Sequence, residues 1–326
     1  MKIAILDDYQ NAVPALGCFS LLGQHEVVVF NDTLTDIDAL AERLQDYAAL
    51  VLIRERTVIS DELLARLPKL KLISQTGKLS NHVRLADCTK HGVAFAEGKG
   101  SAVAPSELCW ALIMAASRQL VPYCSRLNTG QWQQSGSVGL GRTLSGLTLG
   151  IWGYGKIGKR IAQFGKAFGM NILVWGREAS LKQAVADGFQ AATGKHEFFQ
   201  NADVLSLHLR LNDTTRGCVE LADLQTMKTD ALLVNTSRAE LIVPGALLAA
   251  LQTGRPGFAA VDVYENEPVD AASEALLSME NVLCSPHIGY VEQNSYELYF
   301  RIAFDNVNAF FRGEAVNIAN PDVLDA

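Results

Sequence analysis

The stretch Thr148-Leu149-Gly150-Ile151-Trp152-Gly153-Tyr154-Gly155-Lys156-Ile157-Gly158 sets an apolar five-residue run directly before a Gly-x-Gly-x-x-Gly pattern. Helical spacing follows over residues 159–168, and a second apolar run begins at Asn171. Strand, glycine turn, helix and strand together supply the context that makes an otherwise weak motif specific. Gly153 suits the tight turn, Gly155 lets a pyrophosphate approach the backbone, and Gly158 lets the helix close on the strand. The helix start then offers amide donors and the positive end of its dipole to the phosphates. Residues 153–158, including Tyr154, Lys156 and Ile157, read as a dinucleotide-binding turn.

Cofactor choice depends on the end of the next strand, where an acidic residue about 20 residues on usually holds the ribose hydroxyls. Here the chain reads Trp175-Gly176-Arg177-Glu178. Gly176 removes the charge that would repel a 2′-phosphate, and Arg177 offers a guanidinium to bind one. NADP is therefore favoured over NAD, within an NAD(P) reading. A solvent-facing arginine beside a missing contact is the competing explanation.

Outward from this motif, the same strand-helix rhythm fills both halves. Strands are predicted at residues 2–6, 26–30, 49–53, 71–75 and 93–95, and again at 148–152, 171–175, 204–209, 231–235, 258–263 and 282–285. Residues 36–45 and 60–67 carry helical spacing, with Thr35 and Ser60 or Asp61 as N-caps. One long helix is predicted over 105–120, a polar Gly-rich patch over 128–141, and a last helix over 292–311 ahead of an extended tail. Alternation of this kind means α/β architecture with parallel sheets. The tail is too small to fold alone, so the final helix should return to the first half. Two doubly wound parallel-sheet domains follow: residues 102–288 as a Rossmann domain, inserted in a domain built from 1–101 and 289–326.

Composition narrows the partners. With 326 residues, 49% apolar and 19% charged, the chain has ample material for two cores. Its 28 Lys and Arg against 35 Asp and Glu give a net charge of −7, which argues against nucleic acid or a polybasic membrane patch as partner. Cys18, Cys88, Cys109, Cys124, Cys218 and Cys284 form no CxxC pair, so neither a metal site nor a disulfide framework is expected. The Asp7-Asp8 pair interrupts the first apolar run too early for a signal peptide, and a cytoplasmic protein is the expectation.

Three polar residues lie just beyond predicted strands, at the sheet edge where open α/β folds bind ligands. Arg238 follows Asn235-Thr236-Ser237 and offers a planar fork to a carboxylate. Glu267 lies in Tyr264-Glu265-Asn266-Glu267-Pro268, and His287 follows Ser285-Pro286. A histidine whose second ring nitrogen meets a carboxylate makes a proton donor near neutral pH. Singly, each has a structural explanation; all three on one rim beside a dinucleotide motif point to a reduction site.

At these residues the sequence resembles the D-isomer-specific 2-hydroxyacid dehydrogenase family, which includes phosphoglycerate dehydrogenases and glyoxylate or hydroxypyruvate reductases. Four ordered motifs carry the resemblance: 153–158, Leu233-Val234-Asn235-Thr236-Ser237-Arg238, Val261-Asp262-Val263-Tyr264-Glu265-Asn266-Glu267-Pro268, and Ser285-Pro286-His287-Ile288-Gly289. It implies that His287 is the general acid, Glu267 its partner, and Arg238 the group that binds the substrate carboxylate and polarises the carbonyl. It also implies that Asp262 lies near the nicotinamide, that His208, Leu209, Thr236, Ser237 and Gly289 line the dinucleotide site, and that the split first domain is a flavodoxin-like substrate domain. A homodimer built on the long helix from Pro105 is implied in the same way. Arg210, and Ala239-Glu240 after Arg238, depart from the family's usual residues.

In the first domain, Gln75-Thr76-Gly77-Lys78-Leu79-Ser80-Asn81 resembles the family's carboxylate-binding loop without its Gly-x-Gly-x-Asp spacing. Thr76, Gly77 and Lys78 there, with Arg54 after the strand at 49–53, are the substrate candidates. Positive charge at Arg54, Arg56 and Lys78 suits an acidic substrate; pairing with Glu55 or with a helix terminus explains it equally. The expected reaction interconverts a small 2-oxo acid and a D-2-hydroxy acid. A dinucleotide-sensing, corepressor-like binding protein is the alternative, though such a protein needs no proton donor. Formate oxidation, a third option on this fold, needs none either.

Overall fold

Ala49–Leu52 is apolar at every position and Val204–Leu207 at every position but Ser206, and both are buried on both faces, the condition of a strand inside a helix-covered parallel sheet. The computed structural model describes residues 1–324. It divides into one unit of Met1–Ser101 with the chain from Val291 onward, and a second of Ala102–Tyr290.

The first unit holds β1 (Lys2–Ile5), β2 (Glu26–Val29), α1 (Ile37–Leu44), β3 (Ala49–Leu52), α2 (Asp61–Ala65), β4 (Leu72–Gln75), α3 (Leu85–Lys90) and β5 (Ala94–Ala96). Its strands are all parallel in the order β2-β1-β3-β4-β5, the flavodoxin-like arrangement. Ser60 caps α2 by accepting from the Leu63 amide. The cap of α1 is Asp36, one residue after the expected Thr35: its carboxylate accepts from the Ala39 amide and complements the helix dipole better than a hydroxyl does.

In the second unit come α4 (Val103–Ser117), α5 (Leu120–Asn128), β6 (Thr148–Trp152), α6 (Lys156–Ala167), β7 (Asn171–Trp175), α7 (Glu178–Ala186), β8 (Gln190–Ala191), α8 (Lys195–Asn201), β9 (Val204–Leu207), α9 (Leu221–Gln225), β10 (Leu232–Asn235), α10 (Ala246–Gln252), β11 (Phe258–Val261) and β12 (Val282–Cys284). Seven parallel strands run in the order β12-β11-β10-β9-β6-β7-β8. The long helix expected over 105–120 breaks near its end. Gln119 turns left-handed at φ 52, the Ser117 carbonyl accepts from Arg142 instead of the next turn, and Pro122 has no amide to continue the ladder. Trp152, Phe198 and Phe199 pack edge-to-face on one side of this sheet, with Ile151, Ile161 and Val174 buried on the other.

The chain then leaves through α11 (Gln293–Phe311), which packs on the first unit with Phe300 and Phe304 fully buried and the Ala303 carbonyl accepting from Ser74 Oγ. The crossing falls after Tyr290, two residues beyond the expected boundary, because the Gly289 amide is still tied to Asp262. Among the described residues no helix is long and apolar enough to cross a membrane.

Candidate active site

The glycine turn is built as its spacing requires. Gly153 sits at φ 100, and a methyl there would stand 2.5 Å from the His208 carbonyl oxygen. At Gly158 an added methyl would meet the Gly153 oxygen at 2.1 Å, so only glycine lets α6 lie this close to β6. At Gly155 it would meet nothing within 4 Å, which leaves open space beside the backbone. No side chain caps α6, so the amides of Lys156, Ile157 and Gly158 carry no side-chain acceptor. An open face, bare amides and a helix dipole fit a pyrophosphate, and the turn fits a dinucleotide.

Around this turn, β9 ends at Leu207, two residues short of the expected strand, and His208 and Leu209 enter the following loop. His208 Nε2 lies 2.9 Å from Ser206 Oγ, which is 3.4 Å from the buried Cys109 thiol. Burial lowers the His208 imidazole to about 4 and leaves it neutral. Ser237 Oγ donates to the Leu207 carbonyl at 2.7 Å, and the Thr236 hydroxyl reaches Cys109. At the far side of the turn Gly176 adopts φ 158, and Arg177, just ahead of α7, is exposed with no side-chain hydrogen bond or ion pair among the described residues.

Arg238, Glu267 and His287 follow β10, β11 and β12, three adjacent strands at one end of the sheet. Arg238 Nη1 donates to the Ser237 carbonyl at 2.6 Å, and Asn235 Nδ2 donates to the Arg238 carbonyl at 2.9 Å, which shapes the turn. His287 Nδ1 meets Glu267 Oε2 at 2.6 Å, and Glu267 Oε1 accepts from the Tyr264 amide at 2.9 Å. Burial alone would raise the Glu267 carboxyl. The bond to His287 and its charge, the Tyr264 amide and the Arg238 charge together hold it below the ordinary carboxylate range. His287 stands at φ 51, a left-handed conformation that costs a side-chain-bearing residue about 1–2 kcal/mol.

Asp262 shows what offsets that cost. Its Oδ1 accepts from Ser285 Oγ at 2.6 Å and the Ile288 amide at 2.9 Å, and its Oδ2 from the Gly289 amide at 2.9 Å. Burial raises the Asp262 carboxyl, with these donors and the His287 charge opposing. The carboxylate placed by resemblance near the nicotinamide thus spends both oxygens on the turn that carries His287. Ser285 and Tyr264, quoted only as motif members, are its unforeseen companions; nothing in their spacing announces either contact.

In the other unit, Arg54 at φ 56 follows β3 and donates its amide to Thr76 Oγ1 at 3.0 Å. Its guanidinium covers Gly77 so closely that an added methyl there would lie 2.0 Å from Arg54 Nη1. Arg54, Thr76 and Gly77 therefore form one group, with Glu55 Oε1 3.7 Å from the guanidinium. Lys78 turns away into an ion pair with Glu97 at 2.6 Å. Arg56 donates to the Asp7 carbonyl and stacks over Tyr9.

The chain is similar to several known proteins. Residues 110–289 match the model of the D-isomer specific 2-hydroxyacid dehydrogenase NAD binding domain. A glyoxylate reductase of Thermococcus litoralis is 33% identical over 297 residues, 87% of each chain. A 4-methyl-2-oxopentanoate reductase A of Aspergillus oryzae is 38% identical over 242 residues, 73% of this chain and 72% of that one. Among solved structures, a phosphoglycerate oxidoreductase of Vibrio cholerae O395 shares 62% identity with a TM-score of 0.94, covering 96% of this chain and 99% of that one. A doubly wound dinucleotide-binding unit with an arginine, a carboxylate and a histidine on one rim defines a nicotinamide-dependent oxidoreductase. The chain belongs to the D-isomer-specific 2-hydroxyacid dehydrogenase family.

Proposed function

We propose that this chain reduces a small 2-oxo acid to the D-2-hydroxy acid, with His287 as proton donor, Glu267 as its partner, Arg238 as the carboxylate-binding and carbonyl-polarising group, and NADPH preferred over NADH. When bound, the dinucleotide supplies the hydride. The chain's own residues do the rest. Arg238 offers its planar fork to the substrate carboxylate and draws electron density toward the ketone oxygen. That oxygen takes its proton from His287 Nε2, while Glu267 holds Nδ1, fixes the ring and stabilises its charged form. The reverse reaction returns the proton to the same nitrogen.

The 2.6 Å bond between His287 Nδ1 and Glu267 Oε2 carries this reading. A carboxylate held below its ordinary range, on an imidazole at φ 51, has little structural purpose and much purpose in setting that imidazole's proton affinity. The second unit, with Gly153–Gly158, His208, Leu209, Thr236, Ser237, Asp262 and Gly289, holds the dinucleotide. In the first unit, Arg54, Thr76 and Gly77 are the substrate candidates, and Lys78, neutralised by Glu97, offers charge only weakly. Gly176, with Arg177 exposed and without a side-chain partner among the described residues, supports the 2′-phosphate. A homodimer through α4, α5 and the segment after them is supported by exposed Leu120, Val121, Leu127, Trp132 and Leu140. Six free thiols suit a reducing, cytoplasmic setting.

The test is oxidation of NADPH and NADH against glyoxylate, hydroxypyruvate, pyruvate and longer 2-oxo acids, for the native chain and for His287→Ala. The substitution should cut turnover at least a hundredfold and leave dinucleotide affinity within twofold. Equal loss of turnover and affinity would make His287 structural, and tight dinucleotide binding with no turnover on any acid would favour a sensor.

A further inference from the structure

Two loops from different strands have to meet for the His287–Glu267 pair to exist, and one residue touches both. The Tyr264 amide donates to Glu267 Oε1 at 2.9 Å, and its phenol donates to the Ser285 carbonyl at 2.9 Å. That same carbonyl accepts the His287 amide at 3.1 Å. The phenol ring is 7% exposed and packs in the core cluster on its side of the seven-stranded sheet. Packing alone calls for the ring; it does not call for a hydroxyl aimed at the carbonyl two residues before the histidine. On the opposite side Asp262 ties Ser285, Ile288 and Gly289, so the left-handed turn is gripped before and after His287.

We propose that Tyr264 is a positioning residue: by joining Glu267 to the Ser285 carbonyl it sets the separation of carboxylate and imidazole, and with it the direction in which His287 presents its proton. The inference rests on the reading of His287 as proton donor. Burial keeps the phenol protonated far above the ordinary tyrosine range, so it remains a donor at every working pH. Outer contacts of this kind fix the orientation of the group that reacts, and a small misplacement there is felt in turnover more than in binding.

Tyr264→Phe deletes the phenol bond and keeps the ring and the amide bond to Glu267. Loss of one buried hydrogen bond that acts on geometry should lower kcat about three- to tenfold, with KM and dinucleotide affinity within twofold. In a Glu267→Ala background the same change should lower kcat by less than twofold, because the pair it positions is already gone. In the protein without dinucleotide, the low-field proton resonance of the His287 Nδ1–Glu267 bond should move upfield in Tyr264→Phe. 3-Fluorotyrosine at 264, which preserves shape and changes donor strength, should displace it as well. An unmoved resonance in both forms, or an equal kcat loss in both backgrounds, overturns the inference. If His287→Ala instead keeps native turnover, the proton-donor reading falls on its own, and the resonance still decides whether Tyr264 sets the pair.

Discussion

Gly155 and Gly158 separate what the turn does for folding from what it does for binding, because their alanine substitutions should fail in opposite ways. A methyl at Gly158 would stand 2.1 Å from the Gly153 oxygen, 3.2 Å from its carbonyl carbon and 3.3 Å from Ile151 Cγ2. Restoring ordinary contact means moving α6 off β6 by about 1 Å, against side chains that are packed on both sides. Overpacking of this kind costs about 1–3 kcal/mol, less whatever alanine gains over glycine in helix propensity. The unfolding midpoint of a unit this size should drop by roughly 2–10 °C. Gly155 has φ −85 and ψ −158, which alanine adopts freely, and nothing within 4 Å for its methyl to meet. Gly155→Ala should therefore leave the dinucleotide-free protein as stable as the native chain, or about 0.5 kcal/mol more so through a stiffer unfolded state. Its methyl enters the space a pyrophosphate would use to reach the bare amides of α6. Loss of one or two charge-assisted bonds, about 1.5–3 kcal/mol each, weakens NADPH at least tenfold. Thermal unfolding without dinucleotide and fluorescence titration with NADPH read the two effects separately. If Gly155→Ala binds like the native chain, or destabilises as much as Gly158→Ala, the phosphate-binding role of this turn is wrong.

Arg177→Ala should weaken NADPH about tenfold or more and NADH less than twofold, since only the former carries the 2′-phosphate; equal losses in parallel titrations would return Arg177 to the solvent. His208 is lowered from 6.5 to about 4 by burial, so between those values the unfolded chain binds a proton that the folded chain excludes. Stability from this group is complete above pH 6.5 and lost as pH falls toward 4, by up to about 3 kcal/mol. Urea unfolding between pH 7 and 4.5 should show a shallower decline in His208→Gln, and identical declines would refute the assignment. Trp132 and Leu140 are 72% and 90% exposed. The double change Trp132→Ser with Leu140→Ser should shift sedimentation toward monomer, and a dimer that survives it has its interface elsewhere.

What the residues disclose without coordinates follows from how each contact is encoded. Strands buried on both faces announce themselves as short, mainly apolar runs, and β3, β9 with its single Ser206 and β10 up to Asn235 are readable for that reason. The two-residue β8 carries no such run, and the break at Gln119 depends on a carbonyl diverted to Arg142, twenty-odd residues away in a loop. The site divides in the same manner. Arg238, Glu267 and His287 could be picked out because each follows a strand, and parallel order makes strand ends converge on one rim. The brace around His287 could not be picked out. Tyr264 meets Glu267 through a local three-residue turn, but its phenol reaches Ser285 only because Val261 pairs with Cys284 between β11 and β12. A shift of that register by one residue would turn the side chains to the opposite face and separate the two loops. The positive φ at His287 belongs to the same class, since no pattern of residue types requires a histidine to be left-handed. Residue identity therefore locates the groups proposed to exchange a proton, whereas strand register decides how they are aimed, and only the first of these is written locally in the chain.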